Sequence, residues 1–247
     1  MIFTITAKEL RALFKTPLAW VVLAVVQVIL AWLFLVRLDS YLELQPQLAQ
    51  YPNPPGVTEF VVAPMFGSAT VVLLMIVPLL AMRLIAEERR NLTLTFLVSA
   101  PISATQIVLG KFLGLIVFLT IASGLMGAMA LSLLVGGKLD LGLLAANLAG
   151  FVLLTAAFSA VGLYLSSVTS NPVVAGIATL SSLLVLWIVD MGASDPGSVL
   201  HLISLMRHYE NFAKGVIHTG DVAYFVLLIA LFLWLAARRL DRDRLST

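Results

Sequence analysis

An all-α, polytopic membrane protein is the fold class this sequence predicts, and three observations predict it. Of its 247 residues, 61% are hydrophobic and 11% charged, where a soluble domain carries about 25% charged residues. Mean hydropathy is +1.05. The apolar residues gather in six runs, at about 18–36, 66–85, 112–135, 141–165, 172–190 and 221–237. Each is close to the roughly 20 residues that a helix rising 1.5 Å per residue needs to cross a bilayer. No internal repeat stands out beyond the shared Leu/Ala/Val richness of the runs, so residues 1–247 read as one transmembrane domain.

The first run carries no small-residue cleavage motif and is followed by Arg37 and Asp39, which marks an uncleaved anchor rather than a removable signal. Six spans put both termini on one side. That side holds Lys8, Arg11, Lys15, Arg83, Arg89, Arg90, Lys111, Arg238, Arg239, Arg242 and Arg244, against Arg37, Lys138, Arg207 and Lys214 on the other. An excess of eleven to four makes the terminal side cytoplasmic. The basic balance is then this bias together with attraction to anionic lipid, and it calls for no nucleic acid.

Ahead of the first span, FTITAKELRALFKTP sets Phe3, Ala7, Leu10 and Phe14 at helical spacing, with Lys8, Arg11 and Lys15 on another face. That is the pattern of a basic amphipathic helix in the cytoplasmic headgroup plane, whether a plain juxtamembrane anchor or a helix that also docks a partner. Thr6 and Glu9 fit a capping box at its start.

Two outward-facing segments are long. Residues 37–65 include QYPNPPGV, whose Pro52, Pro54 and Pro55 break regular structure. Residues 191–220 continue after GASDPGS with VLHLISLMRHYENFAKGVIH, helical in pattern but too polar to span. That stretch lies on the outer surface or dips in as a re-entrant pair.

The search for chemistry excludes more than it finds. Gly110-Lys111 and Gly137-Lys138 are followed by Phe112 and Leu139, where a nucleotide-binding P-loop requires Ser or Thr. Span centres are nearly free of charge, with Arg83 and Asp190 near membrane ends. That argues against ion-coupled carriers and intramembrane proteases, which need buried ionisable groups. Gln27 and Asn147 read as helix-packing hydrogen bonders. Met126 and Met129 read as core, and the neighbouring Gly124 and Gly127 as points of close helix approach. His201 and His208 share a helical face and could hold a metal, but two surface histidines are the simpler account. No metal site is assigned. The chain has no cysteine, hence no disulfide or thiolate chemistry.

The densest polar stretch is AEERRNLTLTFLVSAPISATQIVLGK, residues 86–111. Arg83 with Glu87, and Glu87 with Arg90, have the spacing of helix-stabilising ion pairs. Leu92, Phe96 and Ser99 then share a face, with Thr93 and Leu97 beside it. Pro101 interrupts, and Ser103 with Gln106 forms a capping box that starts the third span. A passive connector between spans needs about 2–8 residues. An ordered knob of mixed charge and apolar residues reads instead as a docking surface on the cytoplasmic side.

MRLIAEERRNLTLTFLVSAPISATQIVLGKFLG resembles the same region of type 2 ABC-transporter permeases. The matching residues are Glu87, Glu88, Arg89, Thr93, Leu94, Leu97, Pro101, Ile102, Ser103, Gly110 and Lys111. His208, Tyr209, Phe212, Gly215, Asp221, Tyr224 and Phe225, with Asn171 and Val174 in SSVTSNPVVAGI, resemble the gliding-motility and nitrous-oxide-reductase-maturation branch of that family. His218 departs from it, standing where Asp is common. The resemblance implies an N-terminal elbow helix carrying Lys8, Arg11 and Lys15. It implies a coupling helix at Glu87, Glu88, Arg89, Arg90, Leu92, Thr93, Leu94, Phe96, Leu97 and Pro101. It also implies re-entrant helices before the last span, around His208, Tyr209, Phe212 and Gly215. The permease would pair with a second one, as homodimer or heterodimer, in a bacterial cytoplasmic membrane. Two cytoplasmic ABC ATPase subunits would bind the ATP and magnesium, leaving this chain no enzyme and without a cofactor. Export of a substrate is the expected output. The alternative is an assembly or force-transmitting complex that acts on an envelope protein at the outer face. A membrane-embedded enzyme has only His201 and His208 as a foothold.

Overall fold

The computed structural model describes residues 1–48, 50, 54–94, 102–135, 138–189 and 202–245. Helix α1 (Ile2–Lys15) meets α2 (Pro17–Leu48) at Thr16, and a π-helical turn (Thr58–Val62) leads into α3 (Ala63–Ala81). The short α4 (Ala86–Arg90) precedes α5 (Ala104–Leu131), which ends in a 3-10 turn at Ser132–Val135. Then come α6 (Leu141–Val168), α7 (Pro172–Ile188), α8 (Leu205–Ala213) and α9 (Thr219–Leu245). Five of these helical stretches are long and apolar enough to cross a membrane, and α7 is a shorter apolar helix of 17 residues.

Helix α6 is the centre of the bundle, packed against α3, α5, α7, α8 and α9. Its small side chains permit this. A methyl group on Gly162 would stand 2.6 Å from the Ala81 Cβ, and one on Gly150 would stand 2.4 Å from the Phe212 Cβ. Lipid supplies no hydrophobic driving force between helices, so the close van der Waals packing that small residues allow does that work. Helix α1 lies along α5 by the same device: methyls on Gly110 and Gly114 would strike Ile5 and Glu9. The Ser103 hydroxyl accepts from the Gln106 N–H while the Gln106 side chain returns the bond to the Ser103 N–H. This expected capping box starts α5 eight residues ahead of the apolar run at 112.

Several expectations need correction. Within 37–65 the expected break is present at residues 54–56, but α2 continues past the apolar run to Leu48, with Pro46 tolerated in its last turn, and Tyr41 packs on Phe60 with ring centroids 5.6 Å apart. Thr6 caps nothing, because α1 begins at Ile2. Its hydroxyl donates to the carbonyls of Ile2 (3.0 Å) and Gly110 (3.2 Å). Gly124 faces open space and Gly127 only loosely meets Leu148, so the close approaches are at Gly110, Gly114, Gly150 and Gly162 instead. Gln27 and Asn147 do bond between segments, donating to the carbonyls of Ala122 (3.1 Å) and Ala213 (3.3 Å). Met126 is core.

Candidate functional site

The end of the bundle that gathers α1, α4, the start of α5 and the last turns of α6 and α9 carries a network of charges. Lys111 is fully buried. Its ammonium donates to Glu9 of α1 at 3.0 Å and to Glu88 of α4 at 2.8 Å, and Lys8 flanks both carboxylates at 3.6 Å. A buried cation is tolerable only with such partners. Arg89 forms an ion pair with Asp243 of α9 and donates to the Ser167 carbonyl at 2.8 Å. Ser166 accepts from the N–H groups of Ile85 (3.1 Å) and Ala86 (3.0 Å) and donates to the Met82 carbonyl (3.0 Å). One hydroxyl of α6 thus pairs the orphan groups where α3 stops and α4 starts.

The expected ion pairs of Arg83 with Glu87 and of Glu87 with Arg90 do not form. Residues 82–85 are turns, so Arg83 and Glu87 lose helical register. Helix α4 closes as a Schellman motif: the Thr93 N–H donates to the Glu88 carbonyl (2.9 Å) and the Leu92 N–H to that of Arg89 (3.2 Å). Leu92 therefore takes φ 58°, a left-handed conformation usual for glycine. A helix running on from residue 83 through Leu92 is excluded. Leu92 and Arg90 project outward, Thr93 is exposed, and Leu94 is buried. Phe96, Leu97, Ser99 and Pro101 lie outside the described residues. Lys8, Arg11 and Lys15 are exposed on α1 while Ile5 and Glu9 are covered.

At the opposite end, α8 is clasped to α9. The two Asp221 carboxylate oxygens meet His208 Nδ1 at 2.6 Å and the Asn211 amide at 2.8 Å. The His208 ring stacks on Tyr224 at 4.0 Å, and the Tyr224 hydroxyl donates to the Ile203 carbonyl at 2.6 Å. Tyr209 and Phe212 are buried beneath. Burial raises the Tyr209 phenol above its ordinary pKa. Gly215, at φ 81°, turns the chain where a Cβ would meet Leu143. His201 lies outside the described residues, so its pairing with His208 is not seen. Among the described residues no group of three metal-ligating side chains gathers.

Sequence reasoning missed Ser166 and Asp243, and gave Glu9 a capping role in place of its pairing with Lys111. For Glu9 a signal existed: GKFLG is a Gly-x-x-x-Gly stretch, the mark of a helix that receives another closely, and Ile5 and Glu9 lie one turn apart on the receiving face.

The fold, with its apolar helices and this charged end, defines a multi-pass helical membrane protein. Residues 3–245 match the family model described as ABC-2 family transporter protein. The chain belongs to that family, and is the permease component of an ABC transporter, a class that works with an ATPase in a membrane. Comparison with curated proteins finds no significant match.

Proposed function

We propose that this chain is one of two permease subunits of an ABC transporter, and that α4 with the residues following it is its coupling segment. On this reading the chain crosses six times, with α7 as the short fifth span. Its 17 residues cover about 26 Å at 1.5 Å each. Helix α1 is the elbow helix and lies in the headgroup plane, both termini are cytoplasmic, and α8 belongs to the outer re-entrant segment. The second permease is a copy of this chain or a relative of it. Each permease engages one ATP-binding subunit, which holds the nucleotide and magnesium.

One observation carries the proposal. Helix α4 is tied to four other elements at once: α1 and α5 through Glu88 and Lys111, α6 through Ser166, and α9 through Arg89. A displacement of α4 by the closing ATPase pair is delivered to the whole bundle rather than absorbed by a loose loop. Such a stroke shifts the inward–outward equilibrium only insofar as the ATPase binds the two states differently. The polar partners Glu88 and Arg89 are spent inside the permease, which leaves Arg90 and Leu92 outermost for the ATPase.

The test uses those two. Arg90→Glu combined with Leu92→Asp should abolish co-purification of a co-expressed ABC ATPase subunit and its permease-stimulated hydrolysis, with folding retained. Undiminished association and hydrolysis would remove α4 from the interface.

A second reading has its own observation. Helix α2 runs 32 residues, about 48 Å at 1.5 Å per residue, against a hydrocarbon core of about 30 Å. Its last turns therefore stand clear of the outer surface. They present Leu42, Glu43 and Leu44 to a protein there. A force-transmitting complex of the gliding-motility type would use that projection. Deleting the projection would then abolish the cellular output while leaving ATP hydrolysis intact, whereas a solute exporter would keep both.

A further inference from the structure

Between α1 and the α3–α4 junction lies a cleft of about 290 Å³. Its apolar lining is Leu13 of α1, Leu18 at the first turn of α2, Leu80 in the last turn of α3 and Leu84 in the turn that follows, beside the buried Lys111–Glu9 pair. Its mouth is charged, with Lys8, Arg83, Glu87 and Glu88. Leu18 opens the first membrane span, so apolar lining and mouth meet at the depth where acyl chains give way to headgroups.

Two of the mouth charges are unspent. Among the described residues neither Arg83 nor Glu87 makes an ion pair or a side-chain hydrogen bond. A guanidinium and a carboxylate thus face one cleft without pairing with each other. Glu88 belongs to the network instead: one oxygen meets Lys8 and Lys111, and the other is buried away from the cleft.

We propose that this cleft binds a phospholipid whose headgroup carries both a phosphate and a primary ammonium, the ethanolamine class. Arg83 takes the phosphate through its planar fork of donors. The ammonium, with three N–H groups, donates to Glu87. The acyl chains leave over Leu13, Leu18 and Leu80. A choline headgroup fits worse, because its quaternary nitrogen has no N–H to offer Glu87. A headgroup with phosphate alone leaves Glu87 unanswered. The inference rests on α1 lying at the membrane interface and not on α4 contacting an ATPase. The bound lipid would wedge α1 against α4 and make their relative position depend on membrane composition.

The test uses the purified full chain with no ATPase present. It is placed in nanodiscs of phosphatidylcholine containing equal minor fractions of phosphatidylethanolamine and phosphatidylglycerol, and the retained lipid is read by native mass spectrometry. Phosphatidylethanolamine should be enriched about tenfold over phosphatidylcholine, the worth of one charge-assisted hydrogen bond. Glu87→Gln should bring it to parity, and Arg83→Gln should lower the retention of all three lipids. Neither side chain is packed in the core, so both variants should fold, with helical circular dichroism as the check. Equal retention in the unaltered chain would overturn the proposal. So would selective retention of phosphatidylglycerol that Arg83→Gln removes and Glu87→Gln does not. Loss of ATPase binding in the Arg90 and Leu92 variant bears on none of these readings, so the two proposals stand or fall separately.

Discussion

The two ends of the bundle are both held by polar contacts, and they are built on opposite plans. At the α8–α9 end, His208, Asn211, Asp221 and Tyr224 lie within one short stretch of chain, and a single carboxylate serves two neighbours. At the α1–α4 end, Glu9, Glu88, Lys111 and Asp243 come from four helices spread over nearly the whole sequence. The first plan closes a local turn. The second joins elements that could otherwise move independently, and it leaves charged groups and a cleft unfilled beside the joint. A local clasp suits a cap, and a long-range joint with open valences suits the place where other molecules act on the protein.

The sharpest way to break this contrast is to remove the cation at the joint. Lys111→Met should remove the close counterion from two largely covered carboxylates, leaving them only the exposed Lys8 at 3.6 Å, and destabilise the protein by about 3–5 kcal/mol. The readout is the apparent unfolding midpoint in detergent. Adding Glu9→Gln and Glu88→Gln should recover much of the loss, since the unpaired charges are then gone. A midpoint unchanged by Lys111→Met alone would show that the joint holds nothing together.

The equivalent change at the other end is smaller and stays local. Asp221→Asn removes the charged acceptor from His208 and Asn211 and should cost about 1.5–3 kcal/mol. The loss should appear as faster hydrogen exchange across α8 and the start of α9, with α1 and α4 unaffected. Spread of the effect to α4 would merge the two ends into one cooperative unit and dissolve the contrast.

Small residues give a third comparison, within the helices themselves. Gly150→Ala places a methyl 2.4 Å from the Phe212 Cβ and should cost about 1–3 kcal/mol through overpacking. Gly124 faces open space, and Gly124→Ala should stabilise by up to about 1 kcal/mol through helix propensity. Thermal unfolding of the two variants side by side checks the sign of each.

How much of this was legible in the sequence follows from the range of the interactions involved. The Ser103–Gln106 capping box is a contact three residues apart, and its pattern announced it. The apolar runs announced most of the spans, because the bilayer sets their length. The Lys111–Glu9 pair bridges 102 positions, and nothing local marks either residue as the other's partner. Arg83 and Glu87 failed for a different reason. Their spacing has meaning only on a continuous helix, and the turn at 82–85 that Ser166 stabilises depends on α6. The true end of α2 was hidden because its apolar run stops near residue 36, whereas packing of Leu38 and Tyr41 on the core accompanies the helix on toward Leu48.

The smallest expected effect separates stability from contact at a single residue. Leu92 occupies a left-handed backbone position with φ 58° while its side chain is 73% exposed. A leucine there carries conformational strain that glycine would not. Leu92→Gly keeps the Schellman closure of α4 and should stabilise the protein by about 0.5–1 kcal/mol. If the exposed leucine serves only the fold, nothing else should change. If it is retained as an apolar anchor for the ATPase, the same variant should weaken co-purification of that subunit even as the unfolding midpoint rises. A rise in stability with undiminished association would move the contact away from Leu92 and leave Arg90 as the outermost described group of α4 to carry it.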